Sequence, residues 1–173
     1  RHQDDKGEML IDVILDTAGQ KGTGKWSVIN AMNLGMPLGL IGSAVFERSL
    51  SSDKDIRTAA AKRFPHTITK ANVDRNTLLN NLFAALYASK LVSYAQGFSV
   101  LQKASDEFEW NLNMASIARM WRGGCIIRSA FLNDIAHAYE ESDKPGHLLL
   151  TPYFAKEIEQ MLDGWRTLVA LAA

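Results

Sequence analysis

The chain has 173 residues, of which 47% are hydrophobic and 22% are charged. This composition is typical of one globular domain with a buried core, and it excludes overall disorder. Nineteen basic residues balance nineteen acidic residues, so no global field favours nucleic acid or an anionic membrane surface. Any anion site must therefore be local.

The rest of the composition narrows the class of protein. A single cysteine, Cys125, excludes an internal disulfide framework, and four scattered histidines give no paired metal-ligand spacing. The start of the chain is unlike a secretory signal, and no apolar run reaches the roughly 18 to 20 residues that span a bilayer. We expect a cytoplasmic protein that binds no metal, nucleic acid or membrane. The apolar helical pattern of residues 168–173 also predicts that the chain is a fragment.

The pattern before residue 65 predicts short helices. Residues 25–34 form a helical pattern closed by a glycine, and a second helix is expected over 37–50, because its opening proline is tolerated in a first turn. Ser51 and Ser52 follow as candidate caps. Two acidic residues in a first turn then predict a third helix over 53–64, which ends before a proline.

The longest pattern lies in the middle of the chain. After a polar loop at 66–71, apolar residues recur at three- and four-residue steps from Leu79 to Leu101. The spacing predicts one long amphipathic helix over 72–108, and we expect that more than one of its faces is buried.

The C-terminal third continues the helical pattern. Helices are expected over 113–122, over 125–139 and over 152–173, the last with Thr151 as its cap and a proline at its first position. The only strand candidate is 9–15, which periodicity cannot distinguish from a helical turn. We therefore predict an all-α, multi-helix domain with one long central helix.

A glycine-rich loop precedes the first of these helices. Gly19, Gly22 and Gly24 stand beside Lys21 and Lys25. Glycines let the backbone approach a ligand, a helix N-terminus presents free N–H groups, and lysine adds positive charge. The loop is either a local anion site or a turn that happens to carry lysines.

A nucleotide-binding P-loop is one specific interpretation of this segment. Residues 19–25 satisfy the pattern G-x-x-x-x-G-K, and 9–15 could be the strand before it. However, Trp26 occupies the position where the motif needs a serine or threonine for magnesium, and Ser27 comes one place late. We keep an NTPase only as the less favoured alternative.

Five segments of the chain resemble one known family. Residues 21–26, KGTGKW, resemble a signature of the 6-phosphogluconate dehydrogenases, and 45–52, VFERSLSS, resemble the segment that follows it. The similarity continues through 86–90, 93–98 and 120–129. It extends from near the start of the chain to its end, in the family's order.

The resemblance implies an all-helical domain of an enzyme that oxidises 6-phosphogluconate with NADP and decarboxylates it to ribulose 5-phosphate, in the pentose phosphate pathway. By correspondence, Lys21, Thr23 and Arg48 bind the substrate, with its phosphate as the expected partner. An ammonium, a hydroxyl and a guanidinium suit phosphate oxygens.

The resemblance also implies that much of the enzyme lies outside residues 1–173. The family's dinucleotide-binding domain and the helix with its catalytic lysine and glutamate would precede this chain, and a tail that reaches the partner subunit would follow it. We therefore expect a helical substrate-binding and dimerisation domain of a homodimer, with no catalytic residue of its own. The alternative is a dimerisation module that binds no ligand by itself.

Overall fold

The structure, a computed structural model, describes residues 2–65, 72–141 and 145–173. These residues contain no strand, and their only β feature is an isolated antiparallel bridge between Gln3 and Met9. The predicted all-α class is therefore confirmed. The elements are α1 (Leu10–Val13), α2 (Thr23–Asn33), α3 (Gly39–Ser52), α4 (Lys54–Arg63), α5 (Arg75–Glu107), α6 (Met114–Met120), α7 (Leu132–Glu141), a 3-10 turn (Leu148–Leu150) and α8 (Pro152–Ala172).

The predicted long helix is α5, which has 33 residues and is about 50 Å long. Its first turn is capped by Asp74, whose carboxylate accepts a hydrogen bond from the backbone N–H of Thr77 at 2.9 Å. This bond lowers the pKa of Asp74, because it stabilises the charged carboxylate. The predicted polar loop at 66–71 lies outside the described residues.

Helix α8 packs along α5, and a glycine sets their separation. A Cβ atom added at Gly164 would lie 2.8 Å from the Cβ of Ala84 and 3.2 Å from Oδ1 of Asn81. Such distances are shorter than van der Waals contact, so the helices can approach this closely only if residue 164 lacks a side chain. Pro152 starts α8 as predicted, and Thr151 occupies the predicted N-cap position, but its hydroxyl donates to the carbonyl of Leu148 instead of capping the helix.

Substitution of this glycine provides a test of the packing. We expect Gly164→Ala to destabilise the chain by about 1 to 2 kcal/mol, because overpacking outweighs the gain in helix propensity. Gly97→Ala is the matched control, since Gly97 lies within α5 and has open space around its missing side chain. That change should stabilise by about 0.5 to 1 kcal/mol. Urea unfolding measures both, and equal stabilities would contradict the close approach.

The core lies where α5, α6, α7 and α8 meet. Its largest fully buried side chains are Phe98, Leu91, Leu132, Ile135 and Phe154, together with Leu148 from the 3-10 turn. Buried alanines separate them along α5 and α6, so the helices pack closely around the aromatic rings. The core is thus built by the C-terminal half of the chain. Helix α3 contacts α5, and α2 and α4 pack on α3.

Tyr139 of α7 contributes a titratable group to this core. Burial raises the pKa of its phenol to about 12, because desolvation disfavours the phenolate. In the unfolded chain the phenol titrates near its ordinary pKa of about 10. The folded state therefore holds this proton more tightly, and the resulting stability is complete below about pH 10 and is lost as the pH rises to about 12.

We expect the free energy of unfolding to fall steeply above about pH 10, with Tyr139 contributing up to about 1.4 kcal/mol per pH unit. Tyr139→Phe should make this decline less steep, and it should leave the pH dependence of the free energy of unfolding unchanged below about pH 10. Urea titrations at a series of pH values would show this, and an identical decline in both proteins would contradict the assignment. Tyr87, whose pKa burial also raises, remains in both and cancels in the comparison.

Several of the predicted helices begin later than expected, and α5 itself starts at Arg75 rather than residue 72. The second starts at Gly39 rather than residue 37, because Leu38 has a non-helical backbone and occupies the N-cap position. The helix predicted over 125–139 starts only at Leu132. Gly124 has φ +65°, which interrupts a helical path, and residues 121–131 form turns instead.

The predicted serine caps were wrong, and the strand candidate is helical. Ser51 and Ser52 form the last turn of α3, and Asp53 occupies the position between α3 and α4. Residues 10–13 within the strand candidate form α1. Within the part of the chain that the structure describes, no helix combines the length and the apolar character needed to cross a bilayer.

Candidate functional site

The glycine-rich loop ends at the N-terminus of α2. Gly22 is the N-cap residue and has φ +101°, a left-handed conformation that strongly favours glycine. Helix α2 therefore begins at Thr23, two residues earlier than predicted. Lys21 and Thr23 flank this glycine in the sequence, and both residues are exposed to solvent. The turn thus presents an ammonium group and a hydroxyl group beside the first free N–H groups of a helix.

A second glycine of the loop allows α2 to approach α3. A Cβ atom added at Gly24 would lie only 2.9 Å from Cγ2 of Val45. Val45 is three residues before Arg48 on α3. The close contact between the helices therefore brings the Arg48 segment next to the loop.

Arg48 contacts the loop directly. Its Nε atom donates a hydrogen bond to the backbone carbonyl of Gly19 at 2.8 Å, and its Nη2 atom donates to the same oxygen. Gly19 is two residues before Lys21 in the chain. The structure thus places Arg48 against the loop that carries Lys21 and leads into Thr23, and all three side chains are on exposed residues.

Further contacts between the loop and α3 were not found by sequence reasoning. The hydroxyl of Ser51 accepts from the backbone N–H of Ala18 at 3.0 Å, and the hydroxyl of Ser49 accepts from Nε2 of Gln20 at 2.9 Å. The partners are 33 and 29 residues apart in sequence. The only available signal was the row of serines at 49, 51 and 52, of which Ser51 and Ser52 were interpreted as helix caps.

The other end of α3 is tied to the central helix. The side-chain oxygen of Gln96 on α5 accepts a hydrogen bond from the backbone N–H of Leu40 at 3.1 Å. Leu40 lies in the first turn of α3, where N–H groups have no partner within the helix. Gln96 thus caps α3 from another element and fixes the helix that carries Arg48 against the core.

Two alternative sites lose support from the structure. The P-loop interpretation was wrong, because the segment before the loop is α1 and a short extended stretch rather than a strand of a parallel sheet. The other alternative is a second anion site at Arg119, Arg122 and Arg128, which stand beside two glycines in the sequence. However, the guanidinium of Arg119 pairs with the carboxylate of Glu140 at 2.5 Å. That contact links α6 to α7 and is structural.

Among the described residues, no group of three or more His, Cys, Asp or Glu side chains could hold a metal ion.

Comparison with known proteins gives the same family for the whole chain. The family described as 6-phosphogluconate dehydrogenase, C-terminal domain, matches residues 1–173. The chain is 51% identical over 172 residues to the decarboxylating 6-phosphogluconate dehydrogenase of Ceratitis capitata, covering 99% of this chain and 36% of that protein. It is 47% identical over 172 residues to the human enzyme of the same name, covering 98% of this chain and 35% of that protein.

A solved structure agrees with these relatives. It is a 6-phosphogluconate dehydrogenase from Plasmodium falciparum, described as studied in its apo form and in complexes with its cofactor NADP+ and its substrate 6-phosphogluconate. The fold matches with a TM-score of 0.91 at 41% identity, over 98% of this chain and 37% of that one. The chain thus spans about a third of the length of the proteins it matches. It belongs to the 6-phosphogluconate dehydrogenase family and corresponds to the C-terminal domain of that family.

Proposed function

We propose that this chain supplies the phosphate-binding part of a 6-phosphogluconate site. The enzyme would oxidise 6-phosphogluconate with NADP and decarboxylate it to ribulose 5-phosphate, in the pentose phosphate pathway. The observation that carries the proposal is the contact of Arg48 with the Gly19 carbonyl, in a chain whose family is established. This contact holds Arg48 against the loop that carries Lys21 and leads into Thr23, and we propose that these three side chains bind the phosphate.

Each proposed ligand has a distinct chemical role. Lys21 supplies a compact positive charge, Thr23 supplies a hydroxyl donor, and Arg48 supplies a planar fork of N–H donors. The first N–H groups of α2 add the positive end of a helix dipole. In this proposal these groups bind and orient an anion and take no part in hydride or proton transfer. The chemical step is therefore assigned to the rest of the enzyme.

The cofactor is assigned to the rest of the enzyme as well. NADP supplies the hydride acceptor when bound, and dinucleotides of this kind are held by a strand, a glycine-rich turn and a helix. The described residues contain no such unit.

We further propose a cytoplasmic homodimer, in which exposed apolar side chains such as Phe46, Phe83 and Ile126 would be available for contact with a second copy.

The isolated chain provides the first test. We expect no NADPH absorbance when the purified chain is mixed with NADP and 6-phosphogluconate, because the groups for hydride and proton transfer are elsewhere. Measurable turnover would refute this division of roles.

Calorimetry with 6-phosphogluconate then separates a partial substrate site from a dimerisation module. Weak binding that is lost in Lys21→Ala supports the proposal. A dimer in light scattering with no heat of binding would favour the module that binds no ligand by itself.

A further inference from the structure

Arg57 of α4 holds the beginning of the segment that leads into the proposed phosphate site. We call residues 16–20 the lead-in loop, because it ends immediately before Lys21. The Nη1 atom of Arg57 pairs with Oδ2 of Asp16 at 3.0 Å, and its Nη2 atom donates to the backbone carbonyl of Asp16 at 2.7 Å. Arg57 thus binds both the side chain and the backbone of the first loop residue.

The same guanidinium also contacts α3. Its Nη2 atom donates to the backbone carbonyl of Ser51 at 3.1 Å, so one side chain joins the lead-in loop to the end of the helix that carries Arg48. The side chain of Arg57 is 29% exposed, whereas that of Asp16 is 72% exposed. The Nε atom of Arg57 is buried without a hydrogen-bond partner. An unsatisfied buried donor is unfavourable, which indicates that the bonds of the two Nη atoms determine where the guanidinium lies.

Four contacts together fix the course of the lead-in loop. Arg57 holds it at Asp16, and the hydroxyl of Ser51 holds it at Ala18. Arg48 holds it at Gly19, and the hydroxyl of Ser49 holds it at Gln20. Consecutive residues can span at most about 3.6 Å each, so a loop fixed at these positions leaves the backbone at residue 21 little freedom. Loss of the Asp16 contact would leave the first two residues of the loop untethered and would let the later contacts open more easily.

We propose that Arg57 is a positioning residue for the 6-phosphogluconate site. It holds the lead-in loop so that Lys21 and Thr23 meet the phosphate at a fixed distance from Arg48. This inference rests on the proposed function, although Arg57 itself touches no substrate. A fixed binding geometry matters because small displacements of a binding group weaken substrate binding strongly.

Steady-state kinetics of the intact enzyme tests the role in binding. We expect Arg57→Met to raise the KM for 6-phosphogluconate about tenfold, with little change in kcat or in the KM for NADP. Arg57→Lys should recover part of the loss, because an ammonium can pair with Asp16 but cannot reproduce the fork. Asp16→Asn should have a smaller effect, since the backbone carbonyl of Asp16 remains. Arg63→Met is the matched control: Arg63 lies on the same helix with its guanidinium over the ring of Phe64.

Hydrogen exchange of the full chain without ligand tests the same contact independently of the substrate. Exchange of the amides of residues 18–22 should be faster in Arg57→Met than in the wild type. The exchange rates of the amides in α5 should be unchanged. The proposal is overturned if exchange in the loop is unchanged, or if it accelerates while substrate binding stays as tight as in the wild type. If Arg57→Met does not fold, Asp16→Asn decides by the same two criteria.

The outcomes for this proposal and for the proposed function are distinct. An intact wild-type enzyme that fails to bind 6-phosphogluconate would refute the proposed function and with it the role of Arg57 in substrate binding. A wild-type enzyme that binds normally, beside an Arg57→Met variant that also binds normally, would refute the role of Arg57 alone.

Discussion

Replacing Arg48 with alanine in the intact enzyme should raise the KM for 6-phosphogluconate about a hundredfold, while the KM for NADP changes little. A guanidinium has five N–H donors, and the Gly19 carbonyl accepts from two nitrogen atoms of Arg48. The remaining donors are available to phosphate oxygens, and charge-assisted bonds of this kind are among the strongest in proteins. The alanine variant loses the contact with the loop and, in the proposed site, the contact with the phosphate as well.

Two further variants separate these losses. Arg48→Lys keeps the positive charge but cannot bind both the Gly19 carbonyl and a phosphate in the same planar geometry, so an intermediate KM is expected. Arg75→Ala removes an exposed arginine at the start of α5 and should leave both Michaelis constants unchanged. A KM for 6-phosphogluconate that stays at the wild-type value in Arg48→Ala would remove Arg48 from the site.

Local signals predicted the helices whose ends are determined by their own residues. Pro152 starts α8 at the predicted position, and α5 begins within three residues of its predicted start, with Asp74 as its cap. In these places the residues that stabilise the helix end lie within a few positions of it. Periodicity and capping rules use neighbours at that distance, so they were sufficient.

The same rules failed where an apolar run is not buried. Residues 125–127 suggested the start of a helix because isoleucines usually face a core, but Ile126 is fully exposed. The left-handed backbone of Gly124 precedes them, and a turn closes by a hydrogen bond from the N–H of Arg128 to the carbonyl of Cys125. The expectation that apolar side chains point inward therefore placed the start of α7 seven residues too early.

The proposed site could be predicted only in part, for a different reason. Lys21 and Thr23 stand in a recognisable glycine-rich segment, and Arg48 was found through the family resemblance. The contacts that hold the loop join residues 29 to 41 positions apart, as in the pairs Gly19 with Arg48 and Asp16 with Arg57. Such pairings depend on how α2, α3 and α4 pack, and no periodic pattern encodes them.

The largest loss of stability is expected at Phe98, the aromatic centre of the core. Its side chain is fully buried, and its ring lies 5.2 Å from the ring of Trp121 and 5.6 Å from that of Tyr139, between centroids. Phe98→Ala removes contacts to α6 and α7 at once and leaves a cavity that rigid helices cannot close. We expect a loss of about 3 to 5 kcal/mol, which corresponds to a fall in Tm of roughly 10 °C for a domain of this size.

Phe83 offers a matched control on the same helix. It is 63% exposed and stacks on Tyr87 with ring centroids 5.8 Å apart, so Phe83→Ala should cost less than about 1 kcal/mol. Thermal unfolding of both variants followed by circular dichroism gives the comparison. Similar losses in the two variants would show that the face of α5 bearing Phe83 is covered in solution. A small loss in Phe98→Ala would show that the helices around it close the cavity.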